Sequence, residues 1–317
     1  MRSTPPVVAE VVRSGFVEGR HRGCVVALAA DGSVAFSRGD VEAPMFPRSA
    51  NKPLQAAGMV GVGLTLTDEL LALAAASHSG ERFHLDGVRT ILAGVGLGVE
   101  QLQTPPDLPH DTEVQRSWIR DGRGPEPIAM NCSGKHAAML ATCVVNGWDV
   151  TTYTDPGHPL QRALRSTVER LAGETVAATG VDGCGAPVLA ISLRGLAQAG
   201  RACVLAPATT SERQVADAMR AHPQWVGGSN RDVSALMRGV PGLLAKDGAE
   251  AVSLVALSDG RAVAVKIEDG AQRARQVVTA AALVALGVDA DVVNDQLTFE
   301  LYGGGVPVGT VRAVDLV

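Results

Sequence analysis

The sequence predicts an α+β protein: strands from both ends of the chain form one antiparallel sheet, and a long helical middle packs against it. Three observations predict this. Strand-like apolar runs fill Val7 to Asp40, they return after residue 250, and Ala- and Leu-rich helical segments broken by Pro/Gly loops fill the stretch between.

In the first part, Cys24-Val25-Val26-Ala27-Leu28 is followed by Asp31-Gly32 and Val34-Ala35-Phe36, a hairpin pattern with glycine where a tight turn needs a positive φ. Helical segments are expected at 53–60, 68–76, 84–95, 134–146, 159–172 and 211–221. Val252 to Leu257, the turn Ser258-Asp259-Gly260-Arg261, and Ala262 to Ile267 make a second hairpin. Residues 271–287 read as an Ala-rich helix and Phe299 to Val314 as closing strands. Nothing repeats and nothing resembles a linker. The expectation is one domain over 1–317, with a sheet lobe (1–48 and 249–317), a helical lobe (49–248) and a site between them.

Composition removes several functions. Of 317 residues, 46% are hydrophobic and 19% charged, which excludes a disordered chain. The net charge is −5 and basic residues do not cluster, so neither nucleic acid nor an anionic membrane is an expected partner. The longest near-continuous apolar stretch, Val277 to Val288, is too short to span a bilayer. Met1 to Gly15 carries Glu10 and Arg13 where a signal peptide needs an apolar run. Five cysteines are too few and too scattered for a disulfide scaffold. A cytoplasmic, soluble protein is the expectation.

Only four of the 28 basic residues are lysine: Lys52, Lys135, Lys246 and Lys266. A chain that otherwise uses arginine has reason to keep lysine where an amine must lose its proton, as a base or a ligand. Base-composition bias with leftover surface lysines is the plainer account, so the neighbourhoods matter. Lys52 lies in Arg48-Ser49-Ala50-Asn51-Lys52-Pro53, where Pro53 marks a helix start and Ser49 falls at the helix N-terminus, three residues before the lysine. That geometry suits a hydroxyl activated by an amine, although Ser-x-x-Lys alone arises often by chance. Lys246 lies in Leu244-Ala245-Lys246-Asp247-Gly248, similar in placement to the Lys-Thr-Gly element of serine β-lactamases.

Ala76-Ser77-His78-Ser79-Gly80-Glu81 follows an apolar helix and reads equally as a solvated C-terminal cap. Met130-Asn131-Cys132-Ser133-Gly134-Lys135-His136 opens a helix, but its glycine spacing excludes a phosphate loop. Cys132 and Cys184, the latter in Val181-Asp182-Gly183-Cys184-Gly185, are too far apart for a zinc assignment by spacing. Buried free thiols account for them as well. Lys266, opposite Val263, Val265 and Ile267 on its strand, reads as solvated.

Taken together and in order, these strings resemble the serine/lysine, zinc-containing L-asparaginase II family (class 3, rhizobial-type asparaginases), from about residue 8 to about 290. Val265-Lys266-Ile267-Glu268-Asp269-Gly270 joins them, and Asn131-Cys132-Ser133-Gly134-Lys135-His136 is the most specific. The resemblance implies a serine β-lactamase/DD-peptidase-like fold, hydrolysis of L-asparagine to L-aspartate and ammonia, and a homodimer. It carries over two catalytic pairs, Ser49 with Lys52 and Ser77 with Lys246, and a zinc site of Cys132, Lys135 and Cys184. Arg48, His136 and Asp182 fall beside these motifs as substrate-binding residues. All three lysines would then need a neutral amine, and crowding favours it. Either serine could be the nucleophile, with Ser49 slightly favoured. Two other readings share these residues: a glutaminase or other Ser-Lys amidohydrolase or β-lactamase-like hydrolase, and a non-catalytic zinc-dependent amino-acid-binding protein.

Overall fold

The strand-forming ends of the chain meet in one sheet. The structure, a computed structural model, describes residues 4–316. Its strands are β1 (Val7–Arg13), β2 (Phe16–Leu28), β3 (Val34–Arg38), β4 (Pro44–Met45), β5 (Ala178–Val181), β6 (Pro187–Ser192), β7 (Leu244–Gly248), β8 (Val252–Ala256), β9 (Ala262–Ile267), β10 (Thr298–Gly303) and β11 (Val306–Ala313). The helices are α1 (Lys52–Gly61), α2 (Asp68–Ala74), α3 (Arg82–Ala93), α4 (Thr112–Arg120), α5 (Ser133–Asn146), α6 (Pro159–Ala172), α7 (Leu193–Leu205), α8 (Ser211–Ala221), α9 (Pro223–Val226), α10 (Asp232–Gly239), α11 (Gln272–Ala285) and α12 (Asn294–Leu297).

The main sheet runs β10-β11-β1-β2-β9-β8-β7, with β3 also paired to β2, and every pairing is antiparallel. Strand β2 holds it together: Phe16 to Arg22 pair with β1, while Gly23 to Leu28 pair with β9. Both expected hairpins form, with Gly32 and Gly260 at φ of +90° and +95°. Every residue of β7 and β8 is buried, which requires cover on both faces. Helix α7, which also packs on α6 and α8, touches β2, β8 and β9, and α11 lies along β1, β9 and β11. The helical middle therefore covers one face and α11 the other.

The structure departs from the expected lobes in two places. Leu244 to Gly248 is a sheet strand rather than the end of the helical lobe, because its register with β8 buries it from Leu244 onward. A separate sheet, β4-β6-β5, takes β5 and β6 from the helical part of the chain and pairs β6 with β4 from the first lobe.

Candidate active site

The turn that carries Ser49 is a 3-10 turn, Arg48–Asn51, leading directly into α1, with Pro53 in the first turn of that helix as its missing N–H allows. Arg48 holds a left-handed backbone at φ +51°, a conformation that costs energy for any residue with a side chain and tends to accumulate at functional sites. Strand β7 runs alongside this turn and ends in Lys246-Asp247-Gly248. The segment after α2 brings in Ser77, whose amide donates to the Val226 carbonyl at 2.9 Å, and His78, whose amide donates to the Asn131 carbonyl at 2.9 Å. Ser77, His78 and Ser79 are buried. This segment is thus a tethered element of the interior and not the solvated cap that sequence equally allows.

These elements surround a cavity of about 950 Å³ that Arg48, Ser49, Ser77, Cys132, Asp182 and Cys184 help to line. Lys52, Lys135 and Lys246 lie behind its wall, each no more than 1% exposed. Lys52 Nζ is 3.0 Å from Ser77 Oγ, 3.0 Å from Cys132 Sγ and 2.5 Å from the Ala76 carbonyl oxygen. Lys246 Nζ donates to the Asp247 carbonyl at 2.7 Å and to Asp247 Oδ1 at 2.8 Å. The Asp247 carboxylate also receives Arg231 Nη2 at 2.5 Å. Burial, opposed by Asp247 and aided by Lys52, lowers the Lys246 amine to about 8. Burial alone would raise the Asp247 carboxyl, but Lys246, Arg231 and Arg275 hold it well below the usual carboxylate range.

The family resemblance pairs Ser49 with Lys52 and Ser77 with Lys246; the hydrogen bond that forms in the structure is between Lys52 and Ser77. The cause is burial. An interior amine must place its protons on acceptors, and Lys52 finds them in Ala76, Ser77 and Cys132, while Lys246 finds both of its acceptors on Asp247.

A third cluster adjoins the first. Lys135 Nζ is 3.2 Å from Cys184 Sγ. The Cys132 sulfhydryl beside it, then Lys135 and His136, draw the Cys184 thiol far below its ordinary value despite burial. Burial lowers the Lys135 amine, but Cys184, Cys132 and Asp182 more than offset it and hold the amine above its ordinary value. Two sulfurs and an amine suit a zinc ion by donor chemistry. Among the described residues no group of three His, Cys, Asp or Glu is placed to hold a metal ion. Arg48 Nε donates to Asp182 Oδ1 at 2.7 Å, joining two of the expected substrate-binding residues at the cavity wall.

A match to the L-asparaginase II family extends over residues 9–313. The chain belongs to the L-asparaginase II family. Its activity is accordingly hydrolysis of L-asparagine, a small-molecule substrate. Among solved structures, a β-lactamase from Mycobacterium bovis is 15% identical, with a TM-score of 0.47 over 84% of this chain and 95% of its own. Mglu in its glutamate form is also 15% identical, with a TM-score of 0.43 over 83% of this chain and 60% of its own. A sequence search of curated proteins finds no match. No described helix is long and apolar enough to cross a membrane.

Two residues of the enzyme sit differently from expectation. His136, expected to touch substrate, is fully buried and does not line the cavity. Tyr153 Oη accepts from the Gln103 amide at 3.0 Å and lies 2.7 Å from His136 Nδ1. Burial lowers the His136 imidazole, opposed by its hydrogen bond with Cys184, so His136 is an interior support behind Cys184. Lys266 is half-buried rather than solvated: it donates to the carbonyls of Glu250 and, at 2.7 Å, Ile267. Sequence reasoning also missed the far wall of the cavity. There Arg275 Nη2 donates to Asp232 Oδ2 at 2.5 Å and Arg275 Nε to Gln272 Oε1 at 2.6 Å. On that side only Asp247 and Gly248, of the Lys-Asp-Gly string, belong to a motif the sequence singles out.

Proposed function

We propose that the enzyme hydrolyses the side-chain amide of L-asparagine through a serine acyl-enzyme, with Lys52 as the base. The observation that carries this reading is the 3.0 Å contact between the buried Lys52 amine and Ser77 Oγ at the cavity wall. A nucleophile within hydrogen-bond reach of its base is the arrangement that covalent catalysis requires. In this step Lys52 takes the Ser77 proton as the oxygen bonds to the amide carbon. The C–N bond then breaks, nitrogen gains that proton and leaves as ammonia, and water releases aspartate from the ester. Ser49 is the second reading for the nucleophile, favoured by the left-handed Arg48 that delivers it to the same cavity.

Lys246, the other expected catalytic lysine, stands in this scheme as a charge held beside the site through Asp247. Arg48, held in place by Asp182, is proposed to meet the α-carboxylate of the amino acid. Zinc is proposed as a resident ion held by Cys132, Lys135 and Cys184. When bound, it would supply a positive charge for substrate oxygen. A homodimer and a cytoplasmic setting complete the proposal, the latter in keeping with five free cysteines among the described residues.

Ammonia release from L-asparagine and L-glutamine, with Lys52→Arg in parallel, tests the activity. Asparagine turnover that falls at least a hundredfold in the arginine variant supports a titratable amine; an arginine variant of full activity removes Lys52 as the base. Glutamine preference keeps the chemistry and changes the substrate. Acid-quenched mass spectrometry then assigns the nucleophile: the adduct should vanish in Ser77→Ala and persist in Ser49→Ala, and the opposite result moves it to Ser49.

A further inference from the structure

The β7–β8 connection folds against its own sequence preference. Glu250 and Ala251 both hold left-handed backbones, at φ of +58° and +53°, in a turn where glycine or asparagine would be at ease. Such a conformation persists only when neighbours impose it. Here the neighbour is Lys266, which sits opposite Val252 on β9 and donates its amine to the carbonyls of Glu250 and Ile267. The fourth lysine of a lysine-poor chain is therefore a strap across this turn.

The strap fixes a carboxylate at the cavity rim. Glu250 lines the cavity with a side chain 61% exposed, and Arg48 Nη1 lies 3.9 Å from its Oε1. Gly270 leaves it room, since a Cβ there would fall 2.9 Å from Glu250 Oε2. Three other carboxylates of the cavity are already committed at hydrogen-bond distance: Asp182 to Arg48, Asp232 to Arg275, and Asp247 to both Lys246 and Arg231. Asp295 is carried by α12, whereas Glu250 stands two residues beyond Gly248, which touches the Ser49 turn.

Beyond its amide, asparagine carries an α-ammonium that needs an anionic partner. We propose that Glu250 is a specificity-determining residue that receives this α-ammonium, and that Lys266 is the positioning residue that holds it at the rim. The inference rests on the reading of the cavity as an asparagine site.

Steady-state ammonia release from L-asparagine and from succinamic acid, which lacks the α-amine, tests it. Glu250→Gln should raise KM for asparagine about ten- to a hundredfold with kcat little changed. The preference for asparagine over succinamic acid should collapse by the same factor. Lys266→Met should reproduce the KM rise, and Lys266→Arg, still able to donate to two carbonyls, should recover part of it. An unchanged preference in Glu250→Gln overturns the assignment of Glu250, and an unchanged KM in Lys266→Met overturns the strap. If Lys266→Met does not fold, Ala251→Gly, which relaxes the turn, should show the KM rise in its place; a wild-type KM there has the same consequence. Wild-type protein inactive on asparagine would instead overturn the reading of the cavity itself.

Discussion

Gly248 lies against the backbone of Ser49: a Cβ built on it would stand 3.2 Å from the Ser49 amide nitrogen and 2.6 Å from the Pro47 carbonyl oxygen. The glycine of Lys-Asp-Gly is thus required by contact between a strand and the turn that presents a cavity serine. Neither atom it would meet belongs to a flexible side chain, so one of the two elements has to move.

Gly248→Ala should therefore lower kcat by about a hundredfold, through displacement of the turn. The cost in stability should be about 1–3 kcal/mol. Ammonia-release kinetics beside urea unfolding separate the two effects. A variant of normal kcat would mean that the Ser49 turn yields without consequence.

Lys246 makes the stability depend on pH in a predictable direction. Burial lowers its amine from 10.5 to about 8. Between those values the unfolded chain holds the proton and the folded chain does not, so stability rises with pH across that window, and the full penalty applies below about pH 8. Compared with Lys246→Met, wild type should gain up to about 3 kcal/mol as pH rises from 8 to 10.5. A wild-type-minus-variant difference that stays flat in urea melts over this range would show that Lys246 keeps its proton.

Metal content gives a third prediction. Purified enzyme should carry about one zinc ion per chain and Cys184→Ser almost none. Chelated enzyme should bind asparagine more weakly in calorimetry. Metal-free enzyme of full affinity would remove zinc from the site.

Gly134, between Cys132 and Lys135, packs against α2. A Cβ there would fall 2.6 Å from the Leu73 carbonyl oxygen and 2.7 Å from Leu73 Cγ. Gly134→Ala should cost about 1–3 kcal/mol of stability and shift the first turn of α5, lowering zinc occupancy with it. Thermal melts and metal analysis of one preparation check both; an unaltered melting temperature would show that α2 and α5 separate freely.

The parts of this molecule legible in its sequence are those fixed by local chemistry. Asp31-Gly32 and Asp259-Gly260 turn hairpins because glycine supplies the φ they require. The expected helices at 53–60, 84–95, 134–146, 159–172 and 211–221 form within a few residues of those bounds. Helix α7 escaped notice because Gly195 and Gly200 argue against it by propensity; packing on the sheet and the Ser192 side chain, which accepts from the Gly195 amide at 2.8 Å, form it regardless. The residues of the site are legible as strings, but their partners are not. Lys52 meets Ser77 25 positions away, and Arg231, Asp232 and Arg275 reach the cavity from segments without distinctive text. Contacts set by burial between remote segments leave no periodicity to read.

The pairing of β1 with β11, in which Ala9 lies opposite Ala313, bears on how the enzyme is made. A ribosome releases β1 and β2 first and their outer partner last, so the edge of β1 waits through the synthesis of the whole helical middle. Contacts so distant in sequence also close slowly. Through that interval the waiting strand offers unpaired N–H and C=O groups to other chains, a liability that a nascent-chain chaperone would relieve. Soluble yield in a foreign host should accordingly respond to translation rate and growth temperature even when the finished enzyme is stable.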